Sequence, residues 1–159
     1  MRVHVMPPDV RIRVMRSIRS TNTKPELIVR KILWELGGRY RLHSGDLPGR
    51  PDIVMRSRRL VILVHGCLWH LHEGCRLARV PKSRPEYWPT KLQRNKDRDQ
   101  RNLAELRQLG WVPVVIWECE TRNIAGLRDK VMEVLERHQP QHATRLPRIG
   151  TAVGQSSVG

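Results

Sequence analysis

Apolar residues recur along this chain in blocks separated by glycine, proline and basic residues, and the spacing within each block predicts its conformation. Between Asp9 and Arg19, Val10, Val14 and Ile18 stand four apart, which suits a short basic helix or arm. Thr23-Lys24-Pro25-Glu26 is a capping-box signature with proline in the first helical turn. The helix it opens carries Ile28, Ile32 and Leu36 on one stripe, and Gly37-Gly38 stops it. A polar, basic loop follows as far as Leu47-Pro48-Gly49-Arg50-Pro51. Residues 52–55 and 60–64 read as strands around a charged turn, the second continuously apolar as a strand buried on both faces should be. Residues 65–75 and 81–89 read as loops. A long helix fits 91–109, ended by Gly110; a buried strand fits 111–117; an amphipathic helix with Leu127, Val131 and Leu135 fits 124–138. After Pro140 the apolar periodicity disappears, and a small, polar, disordered tail is expected. Strands alternating with helices predict an α/β sheet with flanking helices.

Charge narrows the partner. The 159 residues include 30 lysines and arginines against 15 acids, a formal charge of +15. Such an excess suits a polyanion, because basic side chains displace counterions from phosphates. No apolar run approaches the roughly 20 residues of a spanning helix. The N-terminal residues, with Pro7, Pro8 and several arginines, lack an apolar signal core, so the expected location is cytoplasmic and nucleoid-associated, with no membrane partner.

All three cysteines fit one site with a histidine: Cys67, His72 and Cys75 close together, and Cys119 beyond a strand. Three thiolates and one imidazole make a closed tetrahedral set, the structural form of Zn²⁺ binding. The alternative is three buried thiols and a surface histidine. The catalytic candidates start with Asp52, at the head of a strand after a glycine turn. Mg²⁺ takes oxygen ligands and keeps several waters, so one carboxylate, a carbonyl and phosphate oxygens suffice. Where many nucleases place an acid and a lysine on the neighbouring strand, Leu63, Val64 and His65 stand instead. His65 and His70 supply groups for proton transfer near neutral pH. Leu92, Asn95, Asp99, Leu103 and Leu106 share one helix face, turning Asp99 toward the buried side. There it would pair with a histidine or an arginine, or be solvated. Glu26 is explained as a capping residue.

Met15-Arg16-Ser17-Ile18, Thr23 to Glu26, Leu47 to Asp52, His65-Gly66-Cys67-Leu68-Trp69-His70, Tyr87-Trp88, Asn95 to Arg98 and Trp117-Glu118-Cys119 occur in order. Together they resemble the very-short-patch-repair family of mismatch endonucleases over about residues 10–138. The resemblance implies a restriction-endonuclease-like core (related to the PD-(D/E)XK nucleases): a central mixed sheet flanked by helices, with a structural zinc site. The implied domain spans 1–140, with a basic arm over 1–20 and a tail over 141–159. The implied activity is Mg²⁺-dependent nicking of one DNA strand, 5′ to the thymine of a T·G mismatch left by 5-methylcytosine deamination. It makes Asp52 the Mg²⁺ ligand with the Val64 carbonyl, and His65, His70 and Asp99 the acid–base and positioning set. Glu26 assists through water, and Cys67, His72, Cys75 and Cys119 hold zinc. Arg50 and Asn95 are expected on double-stranded DNA, and repair proteins are candidate partners. The family uses aromatic wedges beside the mismatch. Trp69 and Trp88 match two of them, Leu68 stands where phenylalanine is expected, and the chain has no Phe. Core packing is the alternative for both tryptophans and the preferred reading for Trp117. Two rival functions remain: a restriction or defence nuclease cutting matched or modified DNA, and a non-catalytic zinc-stabilised DNA-binding module.

Overall fold

Helix α1 (Lys24–Glu35) begins where its cap demands. The computed structural model that shows it describes residues 21–82 and 84–141, so the basic arm of 1–20 and the tail from 142 lie outside the described residues. Thr23 stays extended and its hydroxyl oxygen accepts from the Glu26 N–H, with Pro25 in the first turn. The Glu26 carboxylate turns back to accept from the Thr23 hydroxyl at 3.0 Å and from the Asn22 N–H at 2.9 Å, closing the box one residue earlier than usual. Val29, Ile32 and Leu33 form the buried face, with Ile28 and Leu36 packed half-buried beside them. The stripe is therefore wider than the predicted single row, as a helix lying flat on a sheet requires. Gly37, at a φ of 72°, ends the helix in the left-handed conformation.

Four strands, β1 (Arg41–Leu42), β2 (Ile53–Met55), β3 (Leu60–His65) and β4 (Val112–Trp117), lie in that order in one sheet. The first two pairings are antiparallel and β3–β4 is parallel, so the sheet is mixed, as expected. Alternation along β3 sends Leu60 and Ile62 to one core and Val61 and Leu63 to the other, which explains its unbroken apolar run. Helix α1 and helix α3 (Ile124–Arg137) cover the first face through Val29, Leu33, Leu127 and Val131. Helix α2 (Tyr87–Gln108) covers the second, where Leu106 packs with Leu47 and Trp111.

Several expectations change, and β1 lies inside the stretch expected to be loop. Strand β4 is half-buried, with only Ile116 fully covered, because it lies at the edge of the sheet; Pro113, which has no N–H to donate, suits that place. Helix α2 starts at Tyr87, not 91, and Pro89 sits in its first turn, where a missing N–H costs nothing. His65 extends β3 by one residue and ends it beside Trp117 of β4. No helix among the described residues is long and apolar enough to cross a membrane.

The turn before β2 is tight. Gly49 has a φ of 70°, and a Cβ there would lie 2.7 Å from the Asn102 amide nitrogen of α2. Gly49→Ala is expected to cost about 1–3 kcal/mol through strain and clash, read as a lower urea midpoint at unchanged slope.

Candidate active site and metal centre

The parallel strands β3 and β4 end together, and the loops beyond them meet the turn before β2 to form a cleft of about 970 Å³. Clefts at the carboxyl ends of such strands are the usual ligand sites of open α/β sheets. Asp52, Val64, His65, His70, Asp99 and Glu26 all line it, and so do Arg50, Trp69 and Asn95. The structure thus brings the sequence-predicted catalytic set into one place.

Asp52 stands one residue before β2, and its Oδ2 accepts the Val64 N–H of β3 at 2.7 Å. Antiparallel pairing of β2 with β3 produces this contact, since Ile53 opposes Ile62. Burial pushes the Asp52 carboxyl above its ordinary range; the Val64 bond opposes this, and the Glu26 charge adds to it. A bound cation favours the ionised form of such a group. Glu26 and His43 lie beside it: His43 Nδ1 is 3.9 Å from Asp52 Oδ1, and His43 Nε2 is 3.8 Å from Glu26 Oε2. Glu26 is also paired with Arg30 at 2.8 Å.

Across the cleft, His70 Nδ1 meets Asp99 Oδ2. Among the partners open to Asp99, the histidine is the one it takes. The His65 and His70 rings stack face to face, 3.8 Å between centroids. Burial, then the neighbouring His70 charge, lower the His65 imidazole to about 4, against opposition from Asp99, so His65 is neutral at physiological pH. Asn95 donates its side-chain amide to the Trp69 carbonyl at 3.2 Å, tying α2 to the 66–75 loop.

Cys67, His72, Cys75 and Cys119 form a separate cluster whose four donor atoms lie within 4.8 Å of one another. His72 Nδ1 is 3.6 Å from Cys67 Sγ and 3.4 Å from Cys119 Sγ. Zinc bond lengths put the sulfur–nitrogen edge of a tetrahedron at about 3.6 Å, so the residues present fit a closed divalent site. Burial pushes the Cys67 thiol up to about 12, and ion binding would displace its proton. Trp117 stacks flat on His72 at 4.1 Å and meets His65 edge-on at 5.4 Å. It is half-buried and belongs to neither core cluster, so instead of the expected core packing it joins the two side-chain clusters.

Of the three candidate wedge residues, Trp69 alone lines the cleft. Trp69 is half-buried, 5.9 Å from the Trp88 ring, and Lys91 Nζ sits over both rings and over Tyr87. Trp88 is buried, and its indole N–H has no partner among the described residues. Leu68 is half-buried and does not line the cleft. Sequence reasoning missed His43, Arg30 and Glu118. The i,i+4 pairing of Glu26 with Arg30 was available as a signal. Glu118, whose carboxylate accepts from the Cys67 N–H at 3.2 Å, stood inside a quoted motif without a role. Nothing in the local pattern marks His43, which reaches the site through sheet pairing.

Comparison with known proteins agrees with this geometry. The catalytic domain of the homing endonuclease I-Bth0305I superposes with a TM-score of 0.52 at 21% identity, over 74% of this chain and 98% of that domain, which shows a shared fold. The sequence profile described as DNA mismatch endonuclease Vsr matches residues 3–76. The type II nicking enzyme V.XorIIP of Xanthomonas oryzae pv. oryzae is 47% identical over 131 residues, covering 82% of this chain and 96% of the relative. DNA mismatch endonuclease Vsr of Escherichia coli K12 is 39% identical over 118 residues, covering 74% of this chain and 75% of the relative. Fold, cleft and relatives define a DNA endonuclease. Within that class, the chain belongs to the DNA mismatch endonuclease Vsr family.

Proposed function

We propose that the protein is a metal-dependent nickase that cuts one strand of duplex DNA 5′ to the thymine of a T·G mismatch, the lesion left by deamination of 5-methylcytosine. The observation that carries this reading is the meeting, in one cleft, of the Asp52 carboxylate and the His70–Asp99 pair. One such set serves one phosphodiester. The Val64 bond occupies Oδ2 of Asp52 and leaves Oδ1 free, so Asp52 and the Val64 carbonyl are the groups that would hold Mg²⁺. Bound there, the cation supplies Lewis-acid stabilisation of charge on the phosphate oxygens. Asp99 engages Nδ1 of His70 and leaves Nε2 to move a proton, from the attacking water or to the departing oxygen. His65 holds the His70 ring plane by stacking. Glu26 borders the same cleft and assists through water. The Cys67–His72–Cys75–Cys119 set holds Zn²⁺ as a structural clamp.

Trp69, Trp88 and Leu68 form the wedge, with Arg50 and Asn95 contacting DNA beside it. Trp88 must leave its packed position to intercalate, and the stacking it gains replaces the contacts it loses. Strand-resolved cleavage of a duplex in Mg²⁺ tests the reading: a single break, on the thymine strand, is expected, and breaks on both strands contradict it. Leu68 favours a second reading, a restriction-like nuclease acting on matched or modified DNA, because leucine stacks on a base less well than an aromatic ring does.

The outer face of α2 supports duplex contact, since Lys91, Arg94, Arg98 and Arg101 line one shallow groove. Arg94→Ala and Arg101→Ala are expected to weaken binding equally on all sequences. Each should reduce the slope of log affinity against log salt by about 1, measured by anisotropy titration at several salt concentrations.

A further inference from the structure

We infer that Arg30 and His43 are positioning residues that present one imidazole N–H to Asp52, so that the cation seat is set by a chain running Glu26–Arg30–His43–Asp52. This rests on Asp52 being the cation ligand.

Hydrogen-bond chemistry fixes the direction of the chain. The Arg30 guanidinium reaches Glu26 Oε2 at 2.8 Å, Asn22 Oδ1 at 2.6 Å and His43 Nε2 at 3.1 Å. A guanidinium only donates, so His43 Nε2 must accept. A neutral imidazole that accepts at Nε2 carries its hydrogen on Nδ1. Nδ1 faces Asp52 Oδ1, the oxygen that Val64 leaves free, at 3.9 Å. That gap is longer than a hydrogen bond, and hydrogen bonds in unliganded sites commonly tighten when the complex forms.

Two further features belong to the same arrangement. His43 adopts a φ of 47°, in the left-handed region, and its own N–H donates to the Asp52 carbonyl at 3.1 Å. Backbone and side chain therefore both address Asp52. The Arg30 side chain is only 11% exposed, and its buried Nε has no partner among the described residues. Leaving a charged donor unpaired is costly. The helix cap does not account for it, because Thr23 and Asn22 already close the cap on Glu26.

The chain also says where a cation does not sit. Glu26, His43 and Asp52 each offer a donor within 4.8 Å of the others. Arg30 reaches both Glu26 and His43, however, and its charge repels a cation placed between them. Glu26 therefore acts on the cation seat through Arg30 and His43, with Asp52 as the direct ligand.

The test is Mn²⁺ binding to the whole protein, read as loss of the free-ion electron paramagnetic resonance signal, alongside the Mn²⁺ half-saturation of nicking. Asp52→Ala is expected to abolish the bound fraction. His43→Leu and Arg30→Met should each weaken Mn²⁺ binding about tenfold, and the double variant no more than either single one, as for groups acting in series. Turnover at saturating Mn²⁺ should stay near that of the wild type. His43→Gln, whose amide both accepts and donates, should restore affinity to within about threefold and guards against a folding defect. Wild-type binding in both His43→Leu and Arg30→Met, with loss in Asp52→Ala, would overturn the inference and leave the seat standing. Equal weakening in His43→Gln and His43→Leu would overturn the donor role. Wild-type binding in Asp52→Ala would remove the seat and the inference together.

Discussion

Asp52→Ala should lower nicking by about 10³-fold or more while duplex binding survives. Asp52 is the carboxylate aligned with Val64 of β3, and its side chain is only partly exposed, so water does not replace it freely. Losing a cation that stabilises the transition state forfeits several kcal/mol, and each 1.4 kcal/mol is about tenfold in rate. Binding persists because it draws on the basic face of α2, which Asp52 does not touch. The measurement is a single-turnover rate at saturating enzyme, paired with anisotropy on the same duplex. Near wild-type nicking in this variant would refute the site assignment. Asp99→Asn should act on a different step, because it keeps the size of the side chain and removes the charge that His70 faces.

The second large effect concerns the cysteine cluster. Cys119 lies two residues beyond β4, and its sulfur meets His72 of the 66–75 loop at 3.4 Å. Cys119→Ser, or chelation of the wild type, should cost about 4 kcal/mol, the scale on which loss of a structural metal stands out among substitutions. For a domain of this size that is a fall of about 10 °C in melting temperature. Nicking should fail with it, since Trp117 stacks on His72 and meets His65 edge-on. Re-addition of Zn²⁺ should restore the melting temperature of the chelated wild type and not that of Cys119→Ser. An unchanged melting temperature after complete chelation would mean that the cluster holds no structural ion.

Much of this was legible because local chemistry dictates it. The Thr23–Glu26 cap, the Gly37 stop and the apolar run of β3 follow from short-range rules that tertiary packing reinforces. The candidate site residues were legible as motifs, and Asp99 also by helical phase, though the pattern left its partner open. What stayed hidden depends on pairing across the sheet. Strand β4 has the same apolar content whether central or at an edge, and its place is set by which strands pair. His43 lies in a polar loop, yet antiparallel pairing of β1 with β2 carries it to Asp52. Pro89 reads as a loop breaker until the helix is seen to start before it. Trp88 is buried even though it lies in the first turn of a largely polar helix, because Trp69 folds over it from the 66–75 loop.

The central claim is recognition of the mismatch, and one competition tests it. Two duplexes of one sequence, one with a T·G pair and one with C·G at that position, are mixed with enzyme and Mg²⁺, each strand carrying its own label. The account predicts that the T·G duplex is cut at least about 100-fold faster, the discrimination worth two lost tenfold steps in the transition state, and that all product comes from the thymine strand. Equal rates on the two duplexes would contradict it and establish a nuclease of the same fold that reads sequence without regard to the mismatch.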